Sequence, residues 1–194
     1  MFSLEPCDHP GCHGYVASLS RSCYPHSENK DFLRQEASRR LQSPLRLEDW
    51  GITDCEFGPF TVPPKKEIAG SNFAWCTFHR VDFSQVRFAS TFFDFCLFDE
   101  CLFHDIDCRY SVFAGSKLIH CDFSGSFIVH TNFSGVDSLS SDFSSSDLYF
   151  SSFASSFLKD TPFEDCNLKK TDFSFTDRRR VSFRYSNTQE AFFR

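Results

Sequence analysis

From Phe73 to Phe193 every tenth residue is phenylalanine, thirteen in unbroken succession. Halfway between them stand Phe78, Phe88, Phe98, Cys108, Leu118, Ile128, Ser138, Leu148, Leu158, Leu168, Arg178 and Thr188, so the underlying period is five. A small or compact residue lies two positions before each centre, as at Ser71, Cys76, Val81, Val86, Thr91 and Cys96. Neither regular element accommodates this pattern. A helix would scatter period-five residues around its axis, and a straight strand would alternate them between faces. An inward centre every five residues requires a sharp turn per repeat, and four such turns close a coil of twenty. Stacked coils can then pair through backbone hydrogen bonds about 4.8 Å apart.

Folded onto twenty residues, the centres form four inward columns. One holds Phe73, Phe93, Phe113, Phe133, Phe153, Phe173 and Phe193. The opposite one holds Phe83, Phe103, Phe123, Phe143, Phe163 and Phe183. These predict two ring ladders facing each other across the axis, favoured by burial and by offset stacking. The other two columns degrade toward the C-terminus. Arg178 cannot be buried unpaired, so the coil must open there, let the side chain snorkel, or pair it with Asp160 or Asp177.

The copies Ser71-Asn72-Phe73, Val81-Asp82-Phe83, Cys121-Asp122-Phe123, Thr131-Asn132-Phe133, Ser141-Asp142-Phe143, Cys166-Asn167-Leu168 and Thr171-Asp172-Phe173 resemble the pentapeptide-repeat family. Its pattern is a small residue, Asp or Asn, Leu or Phe, then two variable positions. The resemblance covers 71–194 and implies an all-β fold, a right-handed quadrilateral β-helix of about six coils. Three segments are expected: a zinc knuckle over 1–30, a helical cap and junction over 31–67, and the solenoid over 68–194.

Cys7, Cys12, Cys23 and His26 supply three sulfurs and an imidazole in C-x4-C-x10-C-x2-H order, a donor set suited to tetrahedral Zn2+. The segment resembles small Cys3His knuckles, and a stretch so short needs such help to fold. His9, His13 and Cys55 are alternative ligands. Ser27 is expected to cap a helix starting near Asp31, with Phe32, Leu33, Ala37 and Leu41 on one face and Ser43-Pro44 ending it. Thr53 to Phe57 reads as an early β edge outside the later register, Pro63-Pro64 as a stiff junction. The whole segment is expected to cover the first coil, where Phe73, Phe78, Phe83 and Phe88 would otherwise be open.

Charge narrows the function classes. The net charge is -6, with ten acids against eight bases in 1–70 and sixteen against twelve in 71–194, so neither part is a polybasic surface. No apolar run suits a bilayer and none reads as a signal peptide. Five of the ten cysteines, Cys76, Cys96, Cys101, Cys121 and Cys166, fill the small inward slot, which points to buried thiols in a reducing cytoplasm rather than a disulfide framework. No catalytic triad or phosphate loop recurs, so no enzyme and no small-molecule substrate are expected.

What remains is surface. Tyr110, His130 and Phe150 align at twenty-residue spacing beside Val129 and Tyr149, an aromatic patch suited to a protein partner. Lys159, Lys169, Lys170, Arg179, Arg180 and Arg184 gather late in the chain. The leading expectation is a non-enzymatic scaffold or interaction module with an unidentified protein partner, able to self-associate through a solenoid end. The family resemblance implies a second class, a DNA-mimicking regulator of a topoisomerase such as gyrase. Nucleic-acid binding by the knuckle and the basic cluster ranks last.

Overall fold

The computed structural model describes residues 5–194; the first four residues of the 1–30 segment lie outside that range. Parallel strands of two or three residues stack in register, one per face per coil. The longest ladder joins Glu56–Phe57, Thr77–His79, Leu97–Asp99, Lys117–Ile119, Asp137–Leu139, Phe157–Lys159 and Asp177–Arg179. Its seven strands make seven coils, one more than the phenylalanine rhythm indicates. A second ladder joins Leu47–Glu48, Glu67–Ala69, Arg87–Ala89, Asp107–Arg109 and Phe127–Val129. The fold is a parallel β-solenoid.

The additional coil is the first, and it begins at Leu47 rather than near residue 68. Its inward residues Leu47, Ile52, Phe57 and Val62 are all buried, and they too recur every five positions. The next centre, Ile68, comes six residues on. Phe60 pairs with Val81, twenty-one residues away, whereas Glu67 pairs with Arg87, twenty away. One extra residue is therefore accommodated between them, at the Pro63-Pro64 corner. That insertion, and the substitution of Leu, Ile and Val for Phe, hide the coil from a search for the ten-residue rhythm. Phe73, Phe78, Phe83 and Phe88 are covered by this coil rather than directly by the helix.

Inside, both ring ladders are complete. Phe113 stacks on Phe133 at 4.8 Å between centroids, and Phe123 stacks on Phe143 at 4.7 Å. Across the axis Phe123 meets Phe133 edge-on at 5.9 Å. Each ladder ring thus has a stacked neighbour along the rod, and from Phe103 onward an edge neighbour across it. Phe73, Phe83 and Phe93 instead meet Phe78, Phe88 and Phe98 of the adjacent columns edge-on. These are the two geometries that aromatic quadrupoles favour. The small slot is a hydrogen-bonding device. Ser116 Oγ accepts from Cys96 N at 2.9 Å and donates to Phe93 O at 2.7 Å. In the same slot Cys96 Sγ donates to Phe73 O at 3.0 Å and Cys166 Sγ to Phe143 O at 3.1 Å.

Ahead of the solenoid lies α1 (Lys30–Gln42), with Leu33, Ala37 and Leu41 buried against the first coil. Phe32 is 56% exposed and takes no part in that face. The N-cap is Asn29, not Ser27, and it makes no side-chain capping bond; Ser27 Oγ instead accepts from Asn29 N at 3.2 Å. The helix is locked to the rod by Lys66, which stands in the small-slot column and is 2% exposed. Its Nζ donates to Ser43 O at 2.7 Å and also to Leu45 O, placing a cation at the helix C-terminus as the dipole favours. No helix among the described residues is long and apolar enough to cross a membrane.

Candidate functional site

The N-terminal ligand set comes from a short hairpin and a single helical turn. Pro6 bridges Tyr15 in antiparallel fashion, Cys7 N donates to Gly14 O at 2.8 Å, and Cys12 N donates to His9 O at 3.1 Å. Cys23 precedes the 3-10 turn Tyr24–His26, and His26 N donates back to Cys23 O at 3.1 Å. These two folds bring the side chains of Cys7, Cys12, Cys23 and His26 together, one ligand atom from each within 4.8 Å of all the others.

Cys12 Sγ lies 3.7 Å from Cys23 Sγ, and His26 Nδ1 lies 3.7 Å from Cys7 Sγ and 3.2 Å from Cys23 Sγ. Zinc arms of about 2.3 Å to sulfur and about 2.0 Å to nitrogen separate tetrahedral neighbours by about 3.5–3.8 Å. The donor chemistry fits that ion, and the two 3.7 Å separations match its spacing, with His26 Nδ1 closer to Cys23 Sγ. Gly14 N donates to Cys12 Sγ at 3.3 Å, the kind of outer bond that fixes a thiolate ligand. A Cβ on Gly14 would come within 3.3 Å of Cys23 Cβ, so the hairpin passes close to the sulfurs.

The thiols are electrostatically unequal. Hydrogen bonding, first from the Cys23 backbone, lowers Cys7 to about 6 against the effect of burial. Burial is the first cause raising Cys23 to about 12. Of the alternative ligands, His9 stacks on His26 at 3.9 Å and is not among the four clustered ligands, and Cys55 is buried in the first coil.

The segment that carries this cluster is tied to the rod. Ser18 N donates to Gly51 O at 2.7 Å, and Gly51 N donates to Ser18 Oγ at 2.9 Å.

The outer aromatic residues also come together. Tyr110 stacks on His130 at 5.1 Å, His130 stacks on Phe150 at 5.2 Å, and Tyr149 sits edge-on to both His130 and Phe150 at 5.9 and 5.5 Å. Each of the three corner residues has positive φ, which turns its ring outward. Val129 is 8% exposed and forms the floor beneath them. Arg109 extends the patch by lying over Phe127 at 4.8 Å while paired with Asp107 at 2.7 Å.

Two surface features escape the linear pattern. Trp75 and Phe95 stack at 4.4 Å on another corner, 57% and 52% exposed; their spacing of twenty is the signal that would have found them. One whole face is acidic. Asp82, Asp122 and Asp142 share a column, and Asp105, Glu164 and Asp165 stand beside it, against the bases Lys65 and Arg184 near its two ends. Counting charge along the chain averages this face away.

The C-terminal cations are largely engaged. Arg179 pairs with Asp177 and Arg180 with Asp160, while Lys169 and Lys170 share Glu190 at 3.0 Å each. Arg178 takes neither acid. It is exposed and lies over the Phe193 ring at 5.1 Å.

Residues 96–137 match the family of pentapeptide repeats in eight copies. Those copies lie within the β-solenoid and share its period of five. It is similar in structure to a trypsin-treated form of QnrB1, a plasmid-mediated fluoroquinolone resistance protein, with 18% identity, 73% of each chain covered and a TM-score of 0.67. A second match is HetL, a pentapeptide repeat protein involved in heterocyst differentiation regulation from the cyanobacterium Nostoc sp. strain PCC 7120. It is 10% identical over 86% of this chain and 97% of that one, with a TM-score of 0.27. At 18% identity the likeness to QnrB1 concerns the fold alone. No curated protein sequence matches the chain. The eight matched copies span the middle of this rod, where the corner ring of Tyr110 and its partner His130 project.

Proposed function

We propose that the protein is a non-enzymatic interaction scaffold of a reducing compartment such as the cytoplasm. It is capped by a structural zinc knuckle and engages a protein partner through its outer aromatic ladder. The observation that carries this reading is the continuous stack of Tyr110, His130 and Phe150 with Tyr149 edge-on. Large, rigid, exposed rings fixed by a stiff backbone are the residues that dominate interface energetics. Zinc held by Cys7, Cys12, Cys23 and His26 would supply folding energy and no reaction.

Affinity capture with the intact protein and with a Tyr110→Ala, Tyr149→Ala, Phe150→Ala variant tests the contact. A partner retained by the first and lost by the second is expected; equal capture by both overturns the patch. Metal analysis of protein purified without added zinc should give about one ion per chain, absent after Cys12→Ser and Cys23→Ser.

A second reading, mimicry of duplex DNA toward a topoisomerase such as gyrase, draws support from the acidic face of Asp82, Asp122 and Asp142. The fold likeness to a fluoroquinolone resistance protein is consistent with it. Reversing Asp122 and Asp142 to Lys should then abolish any effect on gyrase supercoiling. An effect that survives the reversal removes this reading.

A further inference from the structure

A second group of metal-ligating side chains lies outside the knuckle. Asp99, Glu100 and His120 each place a donor atom within 4.8 Å of the other two. The backbone holds them there. Asp99 ends the strand Leu97–Asp99, Glu100 is the following corner with φ 54, and His120 is the same corner one coil later with φ 52. Glu100 N donates to Ile119 O at 2.9 Å, so the two corners sit on adjacent rungs at fixed spacing.

An outer group orients the first of these donors. His79 Nδ1 lies 2.9 Å from Asp99 Oδ2, and Arg80 Nε donates to His79 Nε2 at 2.8 Å. The Arg80 bond requires a lone pair on Nε2, so the proton is on Nδ1 and points at the carboxylate. That arrangement engages one Asp99 oxygen and leaves the other for a ligand. It is the pattern of a hydrogen-bonded partner behind a metal-binding carboxylate.

We propose that this corner binds one divalent transition-metal ion of the zinc, cobalt and nickel class, through His120 and the carboxylates of Asp99 and Glu100. Imidazole among the donors favours such ions over magnesium or calcium, which take oxygen shells. Two carboxylates bring a charge of -2 to the ion, and Arg80, one coil away, offsets half of it. With Glu100 and His120 both exposed, water completes the coordination.

The test is titration of cobalt(II) into the full-length chain, followed by calorimetry and visible absorption. Cobalt bound by thiolates shows sulfur charge-transfer absorption, so any ion entering the Cys7, Cys12, Cys23 set is counted separately, whether or not that set already holds zinc. The expected result is one equivalent without sulfur absorption, weakened at least tenfold by His120→Ala and by Glu100→Gln and unaffected by His104→Ala. Thermal melting without metal should be the same in all three variants. Absence of a sulfur-free equivalent overturns the site. So does one that persists in both corner variants, or one lost with His104, since either places the ion elsewhere on the surface.

Discussion

Ser116 and Cys96 hold the same position in successive coils and bond to carbonyls of the same kind, which explains why the slot takes hydroxyl, thiol or aliphatic side chains. Burial raises the thiol of Cys101 to about 11, so such cysteines stay protonated donors and should resist alkylation in the native state. The centre is less forgiving. Phe123 is fully buried between stacked and edge-on neighbours. Phe123→Ala should cost about 3–5 kcal/mol of stability, and an unchanged denaturation midpoint would contradict the ladder. Metal binding carries its own pH dependence. Cys23 must lose a proton that burial holds to about 12, so zinc uptake should release protons and weaken steadily as pH falls. Competition with a chromophoric chelator at several pH values measures this.

At the scale of elements, α1 is held by pairs along its C-terminal half and by a clamp at its C-terminus. Glu36 takes Arg39 at 2.7 Å and Arg40 at 2.8 Å, and the Arg39 bond chiefly holds its carboxyl down at about 2. A depressed carboxyl stabilises the fold above its ordinary range near 4.5 and loses that contribution as pH falls toward 2. Circular dichroism should therefore show helix loss in that window, small in size because the arginines are exposed. At the C-terminus of the helix, Lys66→Met should lower the denaturation midpoint by removing the donor to Ser43 O and Leu45 O, a loss of about 1–3 kcal/mol. The helix, its buried face and its Ser43 stop are readable from local spacing, as is the Cys3His set. The first coil is not, because period five is interrupted by one residue at Pro63-Pro64 and only Phe57 among its four centres is aromatic. The acidic face is equally hidden, since its members lie about twenty residues apart and meet only when the coil closes.

For the whole molecule, stability is shared between neighbours along one axis. The first coil is covered by α1 and clamped to the knuckle through Ser18 and Gly51. Toward the other end Val181, Phe183, Ala191 and Phe193 are only partly buried, and Phe192 is 52% exposed. Hydrogen exchange in the 194-residue chain should be fastest beyond residue 181, slowest around Phe113 to Phe143, and intermediate in the first coil. Uniform protection would show that the rod opens as one unit. Light scattering across concentrations reads whether these partly covered rings join two copies.

The corner at Pro63-Pro64 absorbs an odd residue without disturbing the pairings on either side, but elsewhere the rod counts in twenties. Length is thus a quantised property of this chain. Excising residues 121–140 would remove a complete turn and splice every column back in phase. Tyr110 would then land against Phe150, the acidic face would shorten by one carboxylate, and both ends would keep their present relation. A partner that spans several turns would sense that excision as a missing graduation on a ruler, whereas one gripping a single corner would not.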